Sequence, residues 1–244
     1  MPDAIERKRA FETYQTTVSL TESLTPHVKR IHFQLPAGAT MTFRAGQFVQ
    51  IFVPTADKPR RTSYSIASPP YESTFFELCV TLVDGGVSST FLHNLKVGDS
   101  VQAMGPLGRF TLPDPLPRDI VFIATGSGIA PFRSMILDLV HRNAPQKISL
   151  VFGNRFDNDI LYKTEWEELE RQNTSFRKRF TLSRPHETWT GKKGYVQDAL
   201  ADFISSPAEK DYYICGLVKM IDGVAEKLQQ MGVPKEQIHF ERFD

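Results

Sequence analysis

The hydrophobic and polar positions follow two different patterns, one in each half of the chain. From Thr16 to Leu112, short runs of β-branched and aromatic residues alternate with turn residues. These runs predict strands at 17–20, 28–35, 47–53, 63–67, 75–83 and 100–103. Short strands at this spacing are typical of an antiparallel barrel or sandwich, so the first half is predicted to be an all-β domain.

After residue 118, apolar strand runs alternate with stretches of helical periodicity. Strands are predicted at 120–124, 148–153, 179–183 and 212–215, and helices around 131–142, 163–171, 196–204 and 218–231. This alternation indicates a doubly wound parallel sheet. The segment Pro113-Asp-Pro-Leu-Pro117 cannot continue a strand, because its prolines lack backbone N–H donors. The predicted domains are therefore residues 1–113 and 119–244, joined by a linker at 114–118.

Composition excludes several classes of protein. The chain has 29 Lys and Arg against 28 Asp and Glu among 244 residues, so nucleic acid is not an expected partner. Cys79 and Cys215 are too few for a disulfide framework or for an iron–sulfur cluster, and they favour a reducing compartment. The histidines have no metal-ligand spacing, so no metal site is expected.

Targeting signals are not apparent in the sequence. The first ten residues lack the apolar core of a signal peptide, and nowhere do about eighteen apolar residues run together. We therefore expect a cytoplasmic protein that does not contact a membrane.

A glycine-rich turn joins a predicted strand to a predicted helix at Thr125-Gly-Ser-Gly-Ile-Ala-Pro131. Gly126 and Gly128 can adopt positive φ without a Cβ clash, which lets backbone N–H groups approach a phosphate at the positive end of the helix. An ordinary strand-to-helix turn can have the same residues. The motif alone leaves both interpretations open.

Two further segments are candidates for binding a cofactor. Arg60-Arg-Thr-Ser-Tyr-Ser-Ile-Ala-Ser68 combines cations, hydroxyls and an aromatic ring in one strand, so that Tyr64 can lie against a flat ring system. Gly85-Gly-Val-Ser-Ser-Thr-Phe-Leu-His93 places small residues before a short amphipathic helix, which suits a phosphate. An edge strand with solvated arginines and a hairpin turn with a serine N-cap explain the same residues.

Taken together, these segments resemble the ferredoxin–NADP reductase superfamily over nearly the whole chain. The resemblance implies an N-terminal antiparallel Greek-key β-barrel that binds a flavin, followed by a doubly wound parallel-sheet domain that binds NADP. The implied cofactors are FAD, with FMN as the alternative, and NADPH, with NADH as the alternative.

The family binds FAD through an Arg-x-Tyr-Ser strand, and Tyr64 and Ser65 match its last two positions. Thr62 occupies the position of the arginine, so either a bulge brings Arg61 to the phosphate or Thr62 and Ser63 share that contact. The residues that the resemblance assigns to FAD are Arg61, Thr62, Ser63, Tyr64, Ser65, Gly86, Val87, Ser88, Ser89, Thr125 and Phe243.

For NADP, the resemblance places Arg184 and Lys193 at the spacing that clasps a 2′-phosphate, while residues 153–155 include no acid to hold a free 2′-hydroxyl. NADH-using relatives have a stretch similar to 189–195, so NADH stays an alternative. The residues assigned to NADP are Thr125, Gly126, Gly128, Pro131, Arg155, Ser183, Arg184, Lys193, Tyr195, Cys215 and Gly216.

The resemblance also implies catalytic residues. Ser65 lies near flavin N5 in the family, Cys215 orients the nicotinamide without acting as a nucleophile, and Glu241 takes part in electron or proton transfer. A buried structural cysteine and a solvated glutamate are the simpler interpretations. Phe243 matches a terminal aromatic that covers the flavin face as a movable lid, although it could simply pack against the barrel.

The implied activity is hydride transfer from NADPH to FAD, followed by one-electron transfer to ferredoxin or flavodoxin. A close alternative is the NAD(P)H-dependent reductase component of an oxygenase. A non-catalytic electron-transfer subunit is the third hypothesis, although such subunits in this family usually contain a cysteine cluster, which this sequence lacks. We expect a monomer, and the sequence does not identify the acceptor.

Overall fold

The computed structural model describes residues 11–243, and its first half is an antiparallel barrel. The strands of the barrel are β1 (Glu12–Thr25), β2 (Val28–Gln34), β3 (Phe48–Val53), β4 (Arg60–Ser65), β5 (Phe75–Thr81) and β6 (Ser100–Leu107). Their order is β4-β3-β6-β1-β2-β5, and a bridge between Ile66 and Leu78 joins the two edges. One helix, α1 (Val87–Asn94), lies between β5 and β6 in the chain. The predicted barrel is confirmed.

The second half is a parallel sheet with helices on both faces. Its strands are β7 (Asp119–Thr125), β8 (Ile148–Asn154), β9 (Phe176–Leu182), β10 (Lys192–Lys193), β11 (Lys210–Gly216) and β12 (Ile238–Arg242). Its helices are α2 (Ile129–His141), α3 (Lys163–Gln172), α4 (Val196–Phe203) and α5 (Val218–Gln230). The strand order β10-β9-β8-β7-β11-β12 reverses direction between β7 and β11, which confirms the doubly wound fold.

Each face of the parallel sheet has its own apolar core. Phe122 of β7 packs with Phe132 of α2 and Trp166 of α3 on one face. Val121 lies on the opposite face with Leu200 of α4. Because β7 is covered on both sides, its sequence is a continuous apolar run, and this is why the pattern predicted it.

The structure differs most from the sequence-based prediction at three strands, β1, β10 and β12. Three others, β4, β6 and β9, begin or end three or four residues from their predicted bounds. β1 is longer than predicted. Tyr14 and Thr16 are buried at alternate positions of its first half, but Thr16 is polar and therefore does not extend the apolar pattern. β10 has two residues, too few for a periodic pattern, and β12 is an edge strand whose residues are all partly or fully exposed. Weak or short patterns of this kind leave no periodic signal.

The two domains share an apolar interface. One cluster of buried residues contains Ala67 and Leu112 of the barrel half together with Phe132 and Met135 of α2. Residues 108–118, between β6 and β7, form no helix or strand. In the described part of the chain, every helix is too short or too polar to cross a membrane.

Candidate functional site

The site lies at the carboxyl ends of β7 and β11, where the strand order reverses. Thr125 and Gly126 end β7 and begin the following turn, and Cys215 and Gly216 end the neighbouring strand β11. In open parallel sheets, ligands bind in the crevice that forms at this point. The sequence assigns these four residues to a dinucleotide, and that assignment stays a prediction.

Both glycines of the glycine-rich turn were expected to be able to adopt positive φ, but only Gly126 does so. Gly126 has φ +52°, in the left-handed region, whereas Gly128 has φ −61°. A Cβ at Gly128 would overlap the Cys215 carbonyl oxygen and lie 2.7 Å from its carbonyl carbon. Gly128 is therefore required for close approach to β11, and its backbone angles are those of an ordinary helical residue. Pro131 is buried in the first turn of α2.

The three predicted catalytic residues converge from three strands and both domains. Cys215 of β11 pairs in register with Glu241 of β12. The Ser65 hydroxyl, at the end of β4, lies 3.5 Å from Glu241 Oε2, at the long end of the hydrogen-bond range. The fold thus brings a barrel hydroxyl, a thiol and a carboxyl together beside the nucleotide crevice.

Burial sets the ionisation of the two acidic groups in this set. Burial raises the pKa of the Glu241 carboxyl to about 7, and the Ser65 hydrogen bond offsets part of that shift. Burial also raises the pKa of the Cys215 thiol well above its usual range, and the nearby Glu241 charge adds to the effect. Cys215 is consequently a neutral thiol at pH 7, which disfavours a nucleophilic role, and its orienting role stays a prediction.

The two faces of β4 determine which arginine lies on the same side of the strand as Tyr64. β4 pairs with β3 without a register shift, so there is no bulge to bring Arg61 round to the side of Tyr64. Arg60, Thr62 and Tyr64 share one face, whereas the Arg61 guanidinium lies on the other, 5.0 Å from the Phe52 ring centroid. Burial raises the pKa of Tyr64 to about 12, and the Arg60 charge partly opposes this.

A hydroxyl pair links β4 to the first turn of α1. The Thr62 and Ser88 hydroxyl oxygens are 2.6 Å apart. The Ser89 hydroxyl accepts from the Val83 backbone N–H at 3.1 Å and donates to the Gly86 carbonyl, which fixes the turn before α1. The exposed Ser63 points to the opposite face of β4 from Thr62, and Val87 is half exposed at the start of α1. The segments predicted to bind flavin phosphate are therefore adjacent.

A second group of predicted residues lies at the carboxyl ends of β8, β9 and β10. The Arg184 backbone N–H donates to the Arg155 carbonyl at 2.9 Å, so the loops after β8 and β9 run side by side. Lys193 pairs with Leu182 at the end of β9. Within residues 11–243, the side chains of Arg155, Arg184 and Lys193 form no ion pair. Ser183 and Tyr195 flank this cationic group.

Sequence reasoning missed Asn154, which ends β8 in the same crevice. The Asn154 Nδ2 atom is buried and has no hydrogen-bond acceptor. A buried amide without a partner is costly, which makes Asn154 a candidate for a polar contact in this crevice. Arg60 was also missed, although the two-residue period of a strand places it on the face of Tyr64.

Phe243 lies next to this crevice. Its backbone N–H donates to the Gly216 carbonyl at 3.1 Å, and its ring packs half buried against the core shared by the two domains. Asp244 is outside the described residues. The position is compatible with a lid and with a packing role, so the lid stays a prediction.

A cavity of about 450 Å³ lies apart from these residues. It is lined by parts of loop 108–118 and by Arg44, Tyr213 and His239, and none of the predicted site residues borders it. Its Arg118 is paired with Asp211 at 3.3 Å. Residues 11–243 contain no cluster of side chains that could hold a metal ion.

Two family models match separate parts of the chain. An "Oxidoreductase FAD-binding domain" model matches residues 15–112, and an "Oxidoreductase NAD-binding domain" model matches residues 122–226. The chain is 36% identical to "Ferredoxin--NADP reductase B" of Sorangium cellulosum over 96% of this chain and 98% of the relative. It is 38% identical to the reductase component DmpP of phenol 2-monooxygenase from Pseudomonas sp., over 95% of this chain and 66% of that longer protein.

Solved structures share the fold. The Amycolatopsis cytochrome P450 reductase GcoB superimposes with a TM-score of 0.87 and 26% identity over 96% of this chain and 70% of that chain. A ferredoxin NADP+ reductase from Neisseria gonorrhoeae with bound FAD and NADP gives a TM-score of 0.83 at 21% identity, over 94% of this chain and 98% of that chain.

Proposed function

Because the chain belongs to the ferredoxin–NADP reductase superfamily and is a flavin-dependent NAD(P)H oxidoreductase, we propose that it oxidises NADPH and reduces ferredoxin or flavodoxin. The observation that supports this most is the convergence of Ser65, Cys215 and Glu241 beside the glycine-rich turn. Hydride transfer requires the nicotinamide and flavin rings to be held in contact. These three residues lie where the two domains meet.

The proposed flavin-site residues have two kinds of role, binding the cofactor and orienting its ring. Bound FAD supplies a two-electron acceptor that can release electrons singly. Tyr64 offers a ring face for stacking, and the Thr62 and Ser88 hydroxyls with Arg60 offer contacts for phosphate oxygens. The Ser65 hydroxyl can donate a hydrogen bond at the ring edge. The Glu241 carboxyl, with its pKa raised to about 7, can hold or release a proton near Ser65.

NADPH is the proposed donor because the cationic group at the ends of β8, β9 and β10 has no acidic partner in the described chain. Arg184 and Lys193 can form charge-assisted hydrogen bonds to a 2′-phosphate. In the double variant Arg184→Ala with Lys193→Ala, we expect the ratio of kcat/KM for NADPH to that for NADH to fall at least about tenfold. An unchanged ratio would contradict this assignment.

The acceptor is proposed as ferredoxin or flavodoxin, since "Ferredoxin--NADP reductase B" is similar over almost its full length. The similarity to the phenol 2-monooxygenase reductase component favours an oxygenase component as the second candidate. Flavin-loaded protein is assayed with NADPH or NADH and ferricyanide, then with purified ferredoxin, flavodoxin and an oxygenase component. A protein that binds flavin without turnover would support an electron-transfer subunit instead.

Three finer assignments complete the proposal. The flavin is FAD rather than FMN, which its release and chromatography test directly. The protein is a cytoplasmic monomer, checked by light scattering and cell fractionation.

Phe243 is a movable lid, so Phe243→Ala lowers KM for NADPH and strengthens the long-wavelength band formed with NADP+. Unchanged kinetics and spectra would place Phe243 in the scaffold.

A further inference from the structure

A cluster of charged and polar side chains is buried where the two domains meet. Its centre is Glu77 of β5, which is 1% exposed. Glu77 Oε2 accepts from Arg30 Nε at 2.9 Å and lies 2.9 Å from His32 Nε2, both on β2. Glu77 Oε1 accepts from Arg133 Nη1 at 3.2 Å and from the Tyr162 hydroxyl at 2.8 Å. Glu77 is therefore held from both domains at once.

Arg133 of α2 connects three separate parts of the chain. Its Nε and Nη2 donate to the two carboxylate oxygens of Glu165 at 2.7 and 2.8 Å. Its Nη1 also donates to the Ala67 carbonyl of the barrel half at 2.9 Å. The guanidinium carbon lies 4.5 Å from the centre of the Tyr162 ring. With only 7% of its surface exposed, Arg133 has little freedom to adopt another position.

The neighbouring residue of α2 makes a second crossing of the domain boundary. The buried Ser134 hydroxyl donates to the Ser68 carbonyl at 2.7 Å. The Ser68 hydroxyl in turn accepts from the Glu77 backbone N–H at 3.1 Å, which ties this crossing to the same cluster.

These contacts join the two halves of the candidate site through very short stretches of chain. Ala67 and Ser68 lie two and three residues after Ser65, which ends β4. Arg133 and Ser134 lie in the second turn of the helix that begins after Gly128. The segment with the Ser65 hydroxyl is thus fixed to the helix whose first turn lies at the proposed dinucleotide crevice.

An apolar interface alone would not fix this relation so tightly, because apolar contact has no directional preference. Buried ion pairs add little net stability, since desolvation of the charges offsets their attraction. Their hydrogen bonds, however, are satisfied in only one relative position of the groups. Tyr162 reaches Glu77 from a backbone with φ +56°, which is unfavourable for a residue other than glycine and persists only when the surroundings enforce it.

We propose that Arg133 is a positioning residue for hydride transfer: with Ser134 and Tyr162 it sets the approach of the nicotinamide side to the flavin side. The inference depends on the proposed function for the reaction that it positions. It predicts that loosening the cluster slows hydride transfer at saturating NADPH more than it weakens binding of either cofactor.

The test uses full-length flavin-loaded protein and the variants Arg133→Lys and Tyr162→Phe. Lysine keeps the charge but cannot reach Glu165, Ala67 and Glu77 together. Flavin bleaching at saturating NADPH is followed anaerobically by stopped flow, and titration with NADP+ reports the long-wavelength absorbance of the ring pair. We expect bleaching to slow roughly tenfold in Arg133→Lys and threefold in Tyr162→Phe, with FAD and NADP+ dissociation constants changed less than about threefold. The NADP+ band should weaken in parallel.

Tyr212→Phe is the matched control. Tyr212 is also buried, and its hydroxyl donates to the Pro207 carbonyl at 2.9 Å within the second domain. We expect this variant to lose a similar amount of thermal stability while its bleaching rate and NADP+ band stay at wild-type values.

Two failures can be distinguished. A wild-type protein that binds no flavin or does not oxidise NADPH contradicts the proposed function. An active wild type whose Tyr162→Phe variant has the same rate and band as Tyr212→Phe contradicts the positioning role of the cluster. If Arg133→Lys does not fold, Ser134→Ala replaces it, since it removes only the hydrogen bond to Ser68, and a wild-type rate there also overturns the proposal.

Discussion

Burial gives Glu241 a titration that an exposed glutamate would not have. Its pKa is raised to about 7 in the folded protein, so the carboxyl changes charge near neutral pH, 3.5 Å from the Ser65 hydroxyl. The neutral form is the one that the fold favours. Stability from this group is therefore complete below its unfolded pKa and is lost as pH rises through about 7.

The variant Glu241→Gln tests this titration in two ways. Glutamine cannot ionise, so above pH 8 the variant should be more stable than wild type by about 2 kcal/mol, and the difference should vanish near pH 4. We also expect the rate of flavin reduction to show an inflection near pH 7 in the wild type and none in the variant. Thermal unfolding and rate measurements from pH 4 to 9 check both results. A pH-independent difference in stability would show that Glu241 keeps an ordinary pKa.

Two adjacent arginines provide a matched comparison at the proposed flavin site. Arg60 shares the face of Tyr64, and Arg61 lies on the other face over Phe52. We expect Arg60→Ala to weaken FAD binding by about 1–2 kcal/mol because a charge-assisted contact to phosphate is lost, with Arg61→Ala near wild type. Fluorescence titration of the apoprotein measures both, and riboflavin, which lacks phosphate, should bind all three proteins alike. A larger loss for Arg61→Ala would reverse the assignment.

At the scale of elements, the turn between β7 and α2 requires Gly128 because it has no side chain, whereas its φ of −61° is open to any residue. Gly128→Ala would drive its methyl group into the Cys215 carbonyl, so that the turn must move away from β11. We expect NADP+ affinity to fall at least tenfold and stability to fall by about 1–3 kcal/mol.

Gly223→Ala in α5 is the control for this variant. A Cβ at Gly223 would have its nearest neighbour at 3.9 Å, so alanine fits and should stabilise the helix by up to about 1 kcal/mol. Titration calorimetry with NADP+ compares the two variants. Equal NADP+ affinity in Gly128→Ala and Gly223→Ala would mean that the turn tolerates the displacement.

At the scale of the whole molecule, the buried cluster around Glu77 makes the stability of the domain interface depend on pH in the acid range. The Glu77 pKa is lowered to about 2: burial alone would raise it, but the His32 hydrogen bond and the charges of Arg133 and Arg30 outweigh burial. This sign means that the contribution of Glu77 to stability is complete above the unfolded pKa of 4.5 and is lost as pH falls through about 2.

Glu77→Gln should therefore destabilise the protein by about 3 kcal/mol at pH 7, because it leaves the buried Arg133 charge partly uncompensated. The difference from wild type should shrink as pH falls below 4.5. Urea unfolding at pH 7, 4 and 3 measures it, with the exposed Glu168→Gln as the control. A difference that stays constant down to pH 3 would contradict the assigned pKa.

The sequence by itself determined the two-domain architecture, most strands and helices, and the glycine-rich turn. It also placed Tyr64 and Ser65 next to each other in one strand. Each of these depends on residues close together in the chain, where periodicity, proline and glycine act locally. The face of Arg60 was available from the same period of two, once β4 was known to run without a bulge.

Only the tertiary structure decided which distant groups meet. Ser65 and Glu241 are 176 positions apart in the chain, and Glu77 is 85 positions from Tyr162, yet each pair is in contact. Burial, pKa and charge pairing depend on how the two domains pack, and no local pattern encodes that packing. Glu77 and Arg133 therefore look like surface charges in the sequence, whereas in the folded protein they form the buried junction of its two halves.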